Sequence, residues 1–156
     1  MTSKQIYDLL ESGKVSELYK ICKKSFEWID DWADMMIEGD ILDENELAFM
    51  LDKSTAIYSK LSPIVNALES YKERKEYNGE AQFLRKIEKI RTQDASQAKC
   101  ESRASVSDIR DYLGDFKGYL DAAQQNIVSA QSRLKRLIAL GSAKGIAHYG
   151  EVSTEP

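Results

Sequence analysis

The chain has 156 residues, of which 42% are hydrophobic and 31% are charged. This composition fits one folded domain, because a wholly disordered chain has fewer apolar residues and a less balanced charge. No run of about 18 apolar residues is present, and the first residues lack the apolar core of a secretory signal, so we expect a cytoplasmic protein without a membrane-spanning helix. Two cysteines and one histidine exclude a disulfide scaffold and a zinc site of cysteine and histidine ligands. We expect no catalytic residues, no cofactor and no metal.

The net charge of −4 conceals an uneven distribution of charge along the chain. Residues 27–52 contain ten acidic residues and no lysine or arginine, whereas residues 53–150 contain seventeen basic and eleven acidic residues. Such an asymmetry concerns the chemistry of binding partners rather than the fold. We therefore expect a single helical domain, residues 1–140, with an acidic part (27–52) and a basic part (53–140), and a flexible tail at 141–156.

Scarce proline, sparse glycine and little alternation of β-branched residues predict an all-α fold. The first predicted helix begins near Ser3, its expected N-cap, runs to Glu11 and ends at Gly13. The second helix carries apolar residues three or four positions apart, with Ser25 as the one polar gap, and ends at Gly39. Its apolar stripe comprises Val15, Leu18, Cys22, Ile29, Trp32 and Met36.

A capping box formed by Asp43 and Glu46 predicts the start of a third helix. Its apolar positions again recur every three or four residues, and we expect Pro63 to kink this helix. These positions are Leu47, Leu51, Tyr58, Leu61, Val65 and Leu68.

After the third predicted helix the sequence pattern is less regular. The sequence Tyr77-Asn78-Gly79 predicts a turn, followed by a charged helix over about 80–91. The polar, alanine-rich stretch 92–103 has few apolar anchors, and it is compatible with a helix, a loop or a mobile connector.

The last predicted helix has the most regular pattern in the chain. Its apolar residues follow 3-4-3-4 spacing over about five heptads, which predicts a coiled-coil seam against another long helix. The seam comprises Val106, Ile109, Leu113, Phe116, Leu120, Ala123, Ile127, Ala130, Leu134 and Leu137. No acid flanks this seam, so an acidic partner helix is expected, with the region 27–52 as the candidate. Gly141 and Gly145 are expected to end the helix. We therefore predict an elongated helical bundle with coiled-coil character that forms homo-oligomers.

The acidic stretch also contains large apolar side chains, and tryptophan or methionine beside acids is typical of an interface. The candidate protein-binding residues are Trp28, Asp31, Trp32, Asp34 and Met35. The apolar members of this set also suit the core of the bundle, and both interpretations stay open.

Paired carboxylates at helical spacing are similar to those that hold magnesium in helical nucleotide pyrophosphohydrolases of the MazG and all-α dUTPase type. The first candidate set is Glu27, Asp30, Asp31, Asp34 and Glu38, and the second is Glu69, Glu73 and Glu76. Lysine and arginine side chains next to the second set would compete for its carboxylates, so this enzyme class is an alternative hypothesis.

The segment 71–91 combines cations with aromatic rings, the chemistry by which single-stranded DNA is bound without sequence preference. The candidate phosphate contacts are Lys72, Arg74, Lys75, Arg85, Lys86 and Lys89. Tyr71 and Tyr77 are the candidates for stacking on bases. An ordinary helix surface with salt bridges would show the same pattern.

From Tyr58 to Ile138 the order of features resembles that of the UvsY-like recombination mediators of tailed phages. The similar segments are Tyr58-Ser59-Lys60-Leu61, the basic run that ends in Tyr77-Asn78-Gly79, the polar stretch from Thr92 to Ala98, and the closing Ala130-Gln131-Ser132-Arg133-Leu134-Lys135. The resemblance implies a small oligomeric helical protein in the host-cell cytoplasm that binds single-stranded DNA. It also implies a partner protein, a recombinase or a single-strand binding protein, and DNA contacts at Lys72, Arg74 and Lys75.

Three functional hypotheses follow from the sequence. The first is a non-catalytic, phage-type accessory recombination protein that binds single-stranded DNA and a partner protein. The second is a helical protein-interaction module, such as an adaptor, inhibitor or assembly factor, that binds no nucleic acid. The third is the magnesium-dependent pyrophosphohydrolase.

Overall fold

The computed structural model describes the backbone of residues 1–38, 43–85 and 92–150, and the side chains of residues 1–36, 43–83 and 95–141. Within these ranges the chain is all-α, as the sequence predicts. The helices are α1 (Ser3–Glu11), α2 (Val15–Glu38), α3 (Glu44–Arg85), α4 (Thr92–Ala104) and α5 (Ser107–Gly150). In the part of the chain that is described, no helix is both long and apolar enough to cross a membrane.

Local sequence signals set where the helices begin and end. Thr2, rather than Ser3, is the N-cap of α1, and it forms a reciprocal capping box with Gln5. Gly13 ends the turn after α1 with a φ of 71°, a left-handed conformation that favours glycine. The predicted capping box of α3 is confirmed, because Asp43 and Glu46 exchange backbone-to-carboxylate hydrogen bonds of 2.9 and 2.8 Å.

Two long helices form the axis of the bundle. α3 has 42 residues and α5 has 44, which corresponds to lengths of about 63 and 66 Å. They pack along each other over the largest interface in the fold, while α1 and α4 lie against α3 and α2 lies mainly against α5. α3 continues as one helix through Pro63. The predicted elongated bundle therefore rests on one antiparallel pair with shorter helices packed on its sides.

The larger hydrophobic cluster joins α1 and the first part of α2 to the middle of α3 and the first part of α5. We call it the first cluster. Its centre is aromatic: the Phe26 ring stacks on Tyr119 with centroids 4.1 Å apart and meets the Phe116 ring edge-to-face at 5.3 Å. Phe26, not Ser25, continues the apolar stripe of α2, and Phe116 is fully buried. Cys22 lies in this cluster and is also fully buried.

A second, smaller cluster lies where α2 ends and α3 begins. Its buried members are Trp32, Leu47, Met50 and Ala130. Half-buried side chains of Met35, Met36, Leu51, Leu134 and Leu137 surround them. Leu137 is the last residue of α5 in either cluster among the described residues.

Two polar side chains lie at the boundary between the clusters. Along α3, Ser54 lies between Met50 of the second cluster and Ile57 of the first, and along α5 Asn126 lies between Ala123 and Ala130. Ser54 is fully buried. Neither the Ser54 hydroxyl nor the Asn126 amide nitrogen has a hydrogen-bond partner among the described residues. Each long helix therefore carries one unpartnered polar atom between the residues that it contributes to the two clusters.

The predicted turn at Tyr77-Asn78-Gly79 is wrong, because these residues lie inside α3. Gly79 instead marks a close approach to α4: a Cβ atom at this position would lie 3.4 Å from the Ser102 side chain. The buried Ser102 hydroxyl donates a hydrogen bond to the Glu76 carbonyl of α3. The stretch 92–103, for which three conformations were open, is helical.

The last helix is longer than the sequence predicts. We expected α5 to end at Gly141, but its backbone remains helical to Gly150. The ten predicted seam residues are all buried or half-buried, as an amphipathic helix requires. Residues 86–91, part of the predicted helix at 80–91, and residues 151–156 of the predicted tail lie outside the described residues.

Candidate functional site

Tyr71, a predicted stacking residue, is buried and is therefore not available to a nucleic-acid base. Its side chain is only 4% exposed because α1 and the start of α5 cover this part of α3. Two of the predicted phosphate contacts lie over its ring, with the Arg74 guanidinium carbon 5.4 Å and the Lys75 Nζ 5.3 Å from the centroid. Tyr71 thus orients cations by cation–π contact and does not stack on bases.

The other predicted DNA contacts differ in what they can offer to a phosphate. Arg74 forms an ion pair with Glu11 of α1. Lys72 and Lys75 form no salt bridge with any described residue. Tyr77 is 73% exposed, more than any other large hydrophobic side chain in the described ranges. The Arg85 side chain and residues Lys86 and Lys89 lie outside the described residues. Two lysines and one tyrosine therefore remain from the described part of the set.

Acidic side chains lie close to this basic segment in the folded chain. Glu76 of α3 accepts hydrogen bonds from the Arg110 guanidinium of α5, one of them 3.1 Å long. Asp108 lines the same cavity of about 330 Å³ as Tyr71. Carboxylates of α3 and α5 thus lie among the cations of this segment, which weakens its attraction for a polyanion.

The predicted protein-binding residues divide between core and surface. Trp32 is 7% exposed and belongs to the second cluster, which supports its interpretation as a core residue. Trp28 is half-buried, with its ring centroid 5.5 Å from that of Trp32. Asp31 and Asp34 are exposed, and Met35 is half-buried. Four of the five predicted residues therefore reach the surface.

The cations that flank the α5 seam pair with α3 rather than with the acidic region 27–52. Arg110 pairs with Glu76, and Lys117 pairs with Glu69. Among the described residues the acidic region makes one side-chain hydrogen bond to α5, which runs over 3.0 Å from the Tyr119 hydroxyl to the Asp30 carboxylate. Burial raises the pKa of Tyr119 to about 12, and the hydrogen bond to Asp30 shifts it in the same direction.

The carboxylates of the magnesium hypothesis are not assembled into one site. Glu69 and Glu76 pair with cations of α5, and Asp30 accepts the Tyr119 hydroxyl. Across the described ranges there is no group of three or more histidine, cysteine, aspartate or glutamate side chains that could hold a metal ion.

Sequence reasoning missed a groove between α2 and α3, which we call the α2–α3 groove. It has a volume of about 380 Å³, and no acid is among its lining residues. These residues are Lys24, Ser25, Trp28, Lys53, Ala56, Ile57 and Lys60. The three lysines are up to 36 positions apart in the chain, so no local run of positive charge predicts that they lie together. Of the groove residues, the sequence had indicated only Trp28 as a binding candidate.

Lys60 connects the two walls of the α2–α3 groove. Its ammonium group donates hydrogen bonds to the Ile21 carbonyl at 3.2 Å and to the Ser25 hydroxyl at 3.1 Å. An ammonium group has three donors, so one remains for a ligand. Ser25, the polar gap in the predicted stripe of α2, therefore holds a cation of α3 in place.

No family model, no curated protein and no solved structure matches the chain. Its function is therefore inferred from the surfaces described above.

Proposed function

We propose that the chain is a non-catalytic, helical protein-interaction module that binds a partner protein through its acidic end. The acidic end comprises the surface of the second cluster with the exposed carboxylates beside it. Its members are Trp28, Asp31, Asp34, Met35, Met36, Phe49, Leu51, Leu134 and Leu137.

The observation that carries this proposal is the incomplete cover of the second cluster. It has four buried residues, but six large apolar side chains around it remain partly exposed. Phe49, beside it at the start of α3, is 56% exposed. Apolar side chains that are grouped at the surface and bordered by charge are typical of a protein-binding site.

The charges at the acidic end indicate the chemistry of the partner. Asp31 and Asp34 are exposed and form no salt bridge with any described residue. A partner surface with an apolar centre and a basic border would complement them. A second copy of the chain offers that chemistry through Arg133, Lys135 and Arg136 of α5, so a homo-oligomer is one form that this interaction takes.

Charge reversal at the acidic end tests the proposal. The tagged full-length chain and its Asp31→Lys/Asp34→Lys variant are used to capture proteins from an extract of the native cells. Each captured protein is then purified, and its affinity is measured by titration calorimetry. Light scattering gives the mass of the chain alone, for which a monomer has 17.7 kDa.

We expect the variant to lose the captured partner, or to become monomeric where the chain binds a second copy, while its circular dichroism is unchanged. The matched control is Asp111→Lys/Asp121→Lys, which makes the same charge change on an exposed face of α5. A variant that keeps both the partner and the mass of the unmodified chain contradicts the proposal.

Single-stranded DNA binding is the second candidate function. It is the activity that an accessory role in phage recombination would require. Lys72 and Lys75 without a salt bridge in the described chain, next to an accessible Tyr77, favour it. Two cations and one ring form a small site, and the carboxylates near it oppose a polyanion. For this reason it ranks below protein binding.

Fluorescence anisotropy with a labelled single-stranded oligonucleotide at two salt concentrations tests this second candidate. Binding through these lysines becomes weaker as salt rises, with a slope of about −0.7 for each phosphate contacted. The variant Lys72→Ala/Arg74→Ala/Lys75→Ala should remove binding and flatten the slope. The matched control is Lys14→Ala/Lys99→Ala/Lys135→Ala. An oligonucleotide that does not bind at low salt excludes this function.

A further inference from the structure

The α2–α3 groove carries chemistry that neither function above uses. α2 is held mainly by α5 and α1, and its contact with α3 is smaller than either of these. The two helices therefore leave an open groove between them. A groove between two helices is a common docking place for a third, amphipathic helix.

The groove has an apolar floor and a basic border. Trp28 on one side and Ala56 and Ile57 on the other form the floor. The amines of Lys24, Lys53 and Lys60 form the border, and no carboxylate is among the lining residues. This arrangement is complementary to a ligand with an apolar stripe and acidic flanks.

An exposed aromatic ring lies next to the groove on α3. Phe49 is 56% exposed, and the Lys53 ammonium group of the groove border lies 5.9 Å from its ring centroid. From Phe49 to Lys60 the helix rises by about 16 Å, which equals three turns of a docked helix. Lys53 and Lys60 are separated by seven residues, so their amines lie two turns apart along the same side of α3.

We propose that the α2–α3 groove binds an acidic amphipathic helix of about three turns from a partner protein. Its apolar stripe lies on Trp28, Ala56 and Ile57, and its flanking carboxylates meet Lys24, Lys53 and Lys60. This surface adjoins the acidic end, with which it shares Trp28, but its border consists of lysines rather than carboxylates. The proposal does not depend on the function proposed above.

The lining favours a helix over single-stranded DNA. Sequence-independent binding of single strands relies on several aromatic faces in a row, on which successive bases stack. The floor of this groove offers one indole, and that ring is half-buried against Trp32. The remaining floor is aliphatic, and aliphatic side chains pack against leucine or isoleucine.

The test uses a fluorescein-labelled helical peptide of about 14 residues, with leucines at i, i+4, i+7 and i+11 and glutamates on the flanks. Its binding to the full-length chain is followed by anisotropy. The comparison peptide has glutamine at every glutamate. The groove variant is Lys24→Glu/Lys53→Glu, which keeps Lys60 because that side chain joins α2 to α3. The matched control is Lys4→Glu/Lys99→Glu.

We expect the acidic peptide to bind the unmodified chain and the control equally, and the groove variant about tenfold more weakly. The glutamine peptide should bind as weakly as that variant. Equal binding to all three proteins overturns the proposal, as does an acidic peptide that fails to bind at low salt. A single-stranded oligonucleotide that binds the groove in place of the peptide also overturns it. Unchanged circular dichroism of the groove variant establishes that it is folded.

Discussion

The two hydrophobic clusters of this bundle differ in how completely they are covered. In the described chain the first cluster has seventeen buried residues and nine partly buried ones, whereas the second has four buried and six partly buried. The five salt bridges of the described residues all lie outside the second cluster. The first cluster is therefore well covered within the chain, whereas the second is covered incompletely.

Ser54 and Asn126 each have a polar atom without a partner among the described residues, and each lies along its helix between the residues of the two clusters. A buried hydroxyl or amide without a partner costs free energy, so these two positions are weak points in the packing of α3 on α5. The lesson for this fold is that one continuous pair of long helices supports two regions with different properties. The variants below test that difference, beginning with the largest expected effect.

The first variant, Phe116→Ala, removes the centre of the first cluster. The ring is fully buried and contacts Phe26 and Tyr19 edge-to-face. We expect the free energy of unfolding to fall by about 3–5 kcal/mol, measured by urea denaturation followed at 222 nm. A loss below about 1 kcal/mol would show that the first cluster does not carry the stability of the fold.

Leu134→Ala is the corresponding variant at the second cluster. This leucine is only half-buried, so its removal takes less apolar surface out of the core. We expect a loss of about 1–2 kcal/mol in the same assay, clearly less than for Phe116→Ala. Equal losses for the two variants would mean that the two clusters contribute alike, and the comparison would fail.

Ser54→Ala tests the unpartnered polar position on α3. The change removes a buried hydroxyl that has no partner among the described residues and introduces a better helix former. We expect the free energy of unfolding to rise by about 1 kcal/mol. Thermal and urea denaturation measure the change. A less stable variant would show that the hydroxyl makes a favourable interaction and that the two clusters are not separated by a weak point.

Tyr119→Phe tests how α2 is held on α5. The variant loses the hydrogen bond of 3.0 Å to Asp30, and we expect it to be about 0.5–1.5 kcal/mol less stable at neutral pH. In the folded chain the pKa of Tyr119 is raised from 10.0 to about 12. The stabilisation is therefore complete below pH 10 and is lost as the pH rises from 10 to about 12.

Urea denaturation of both proteins at intervals from pH 8 to about 12 measures this effect, and absorbance at 295 nm follows tyrosine ionisation. The stabilities of the two proteins should converge across the upper part of that range. A constant difference between them would show that the phenol does not retain its proton in the fold.

Most of the fold could be predicted because helix periodicity and capping are local properties. The Asp43–Glu46 capping box and the seam of α5 needed no tertiary information. The helix at Gly79 could not be predicted, since its glycine serves close packing against Ser102 of α4 rather than a turn. A strict spacing of three or four residues also placed Ser25 on the apolar stripe of α2. In the structure the next residue, Phe26, is the one that lies in the core.

The candidate sites were harder to predict because they depend on what covers each residue. Tyr71 follows the pattern of a stacking residue in the sequence, but neighbouring helices bury it. Arg74 lies in a basic run but pairs with Glu11, a partner 63 positions away. The lysines of the α2–α3 groove come from two helices, so their grouping exists only in the folded chain.

The two thiols of the chain have opposite surroundings, which gives this protein a natural site for chemical labelling. Cys22 is fully buried in the first cluster, and burial raises its thiol pKa, so little reactive thiolate forms there. Cys100 is exposed on α4. A maleimide dye should therefore attach to Cys100 alone in the folded chain. Each molecule would then carry one fluorophore at a known position, and a second one would be added only where the bundle has opened.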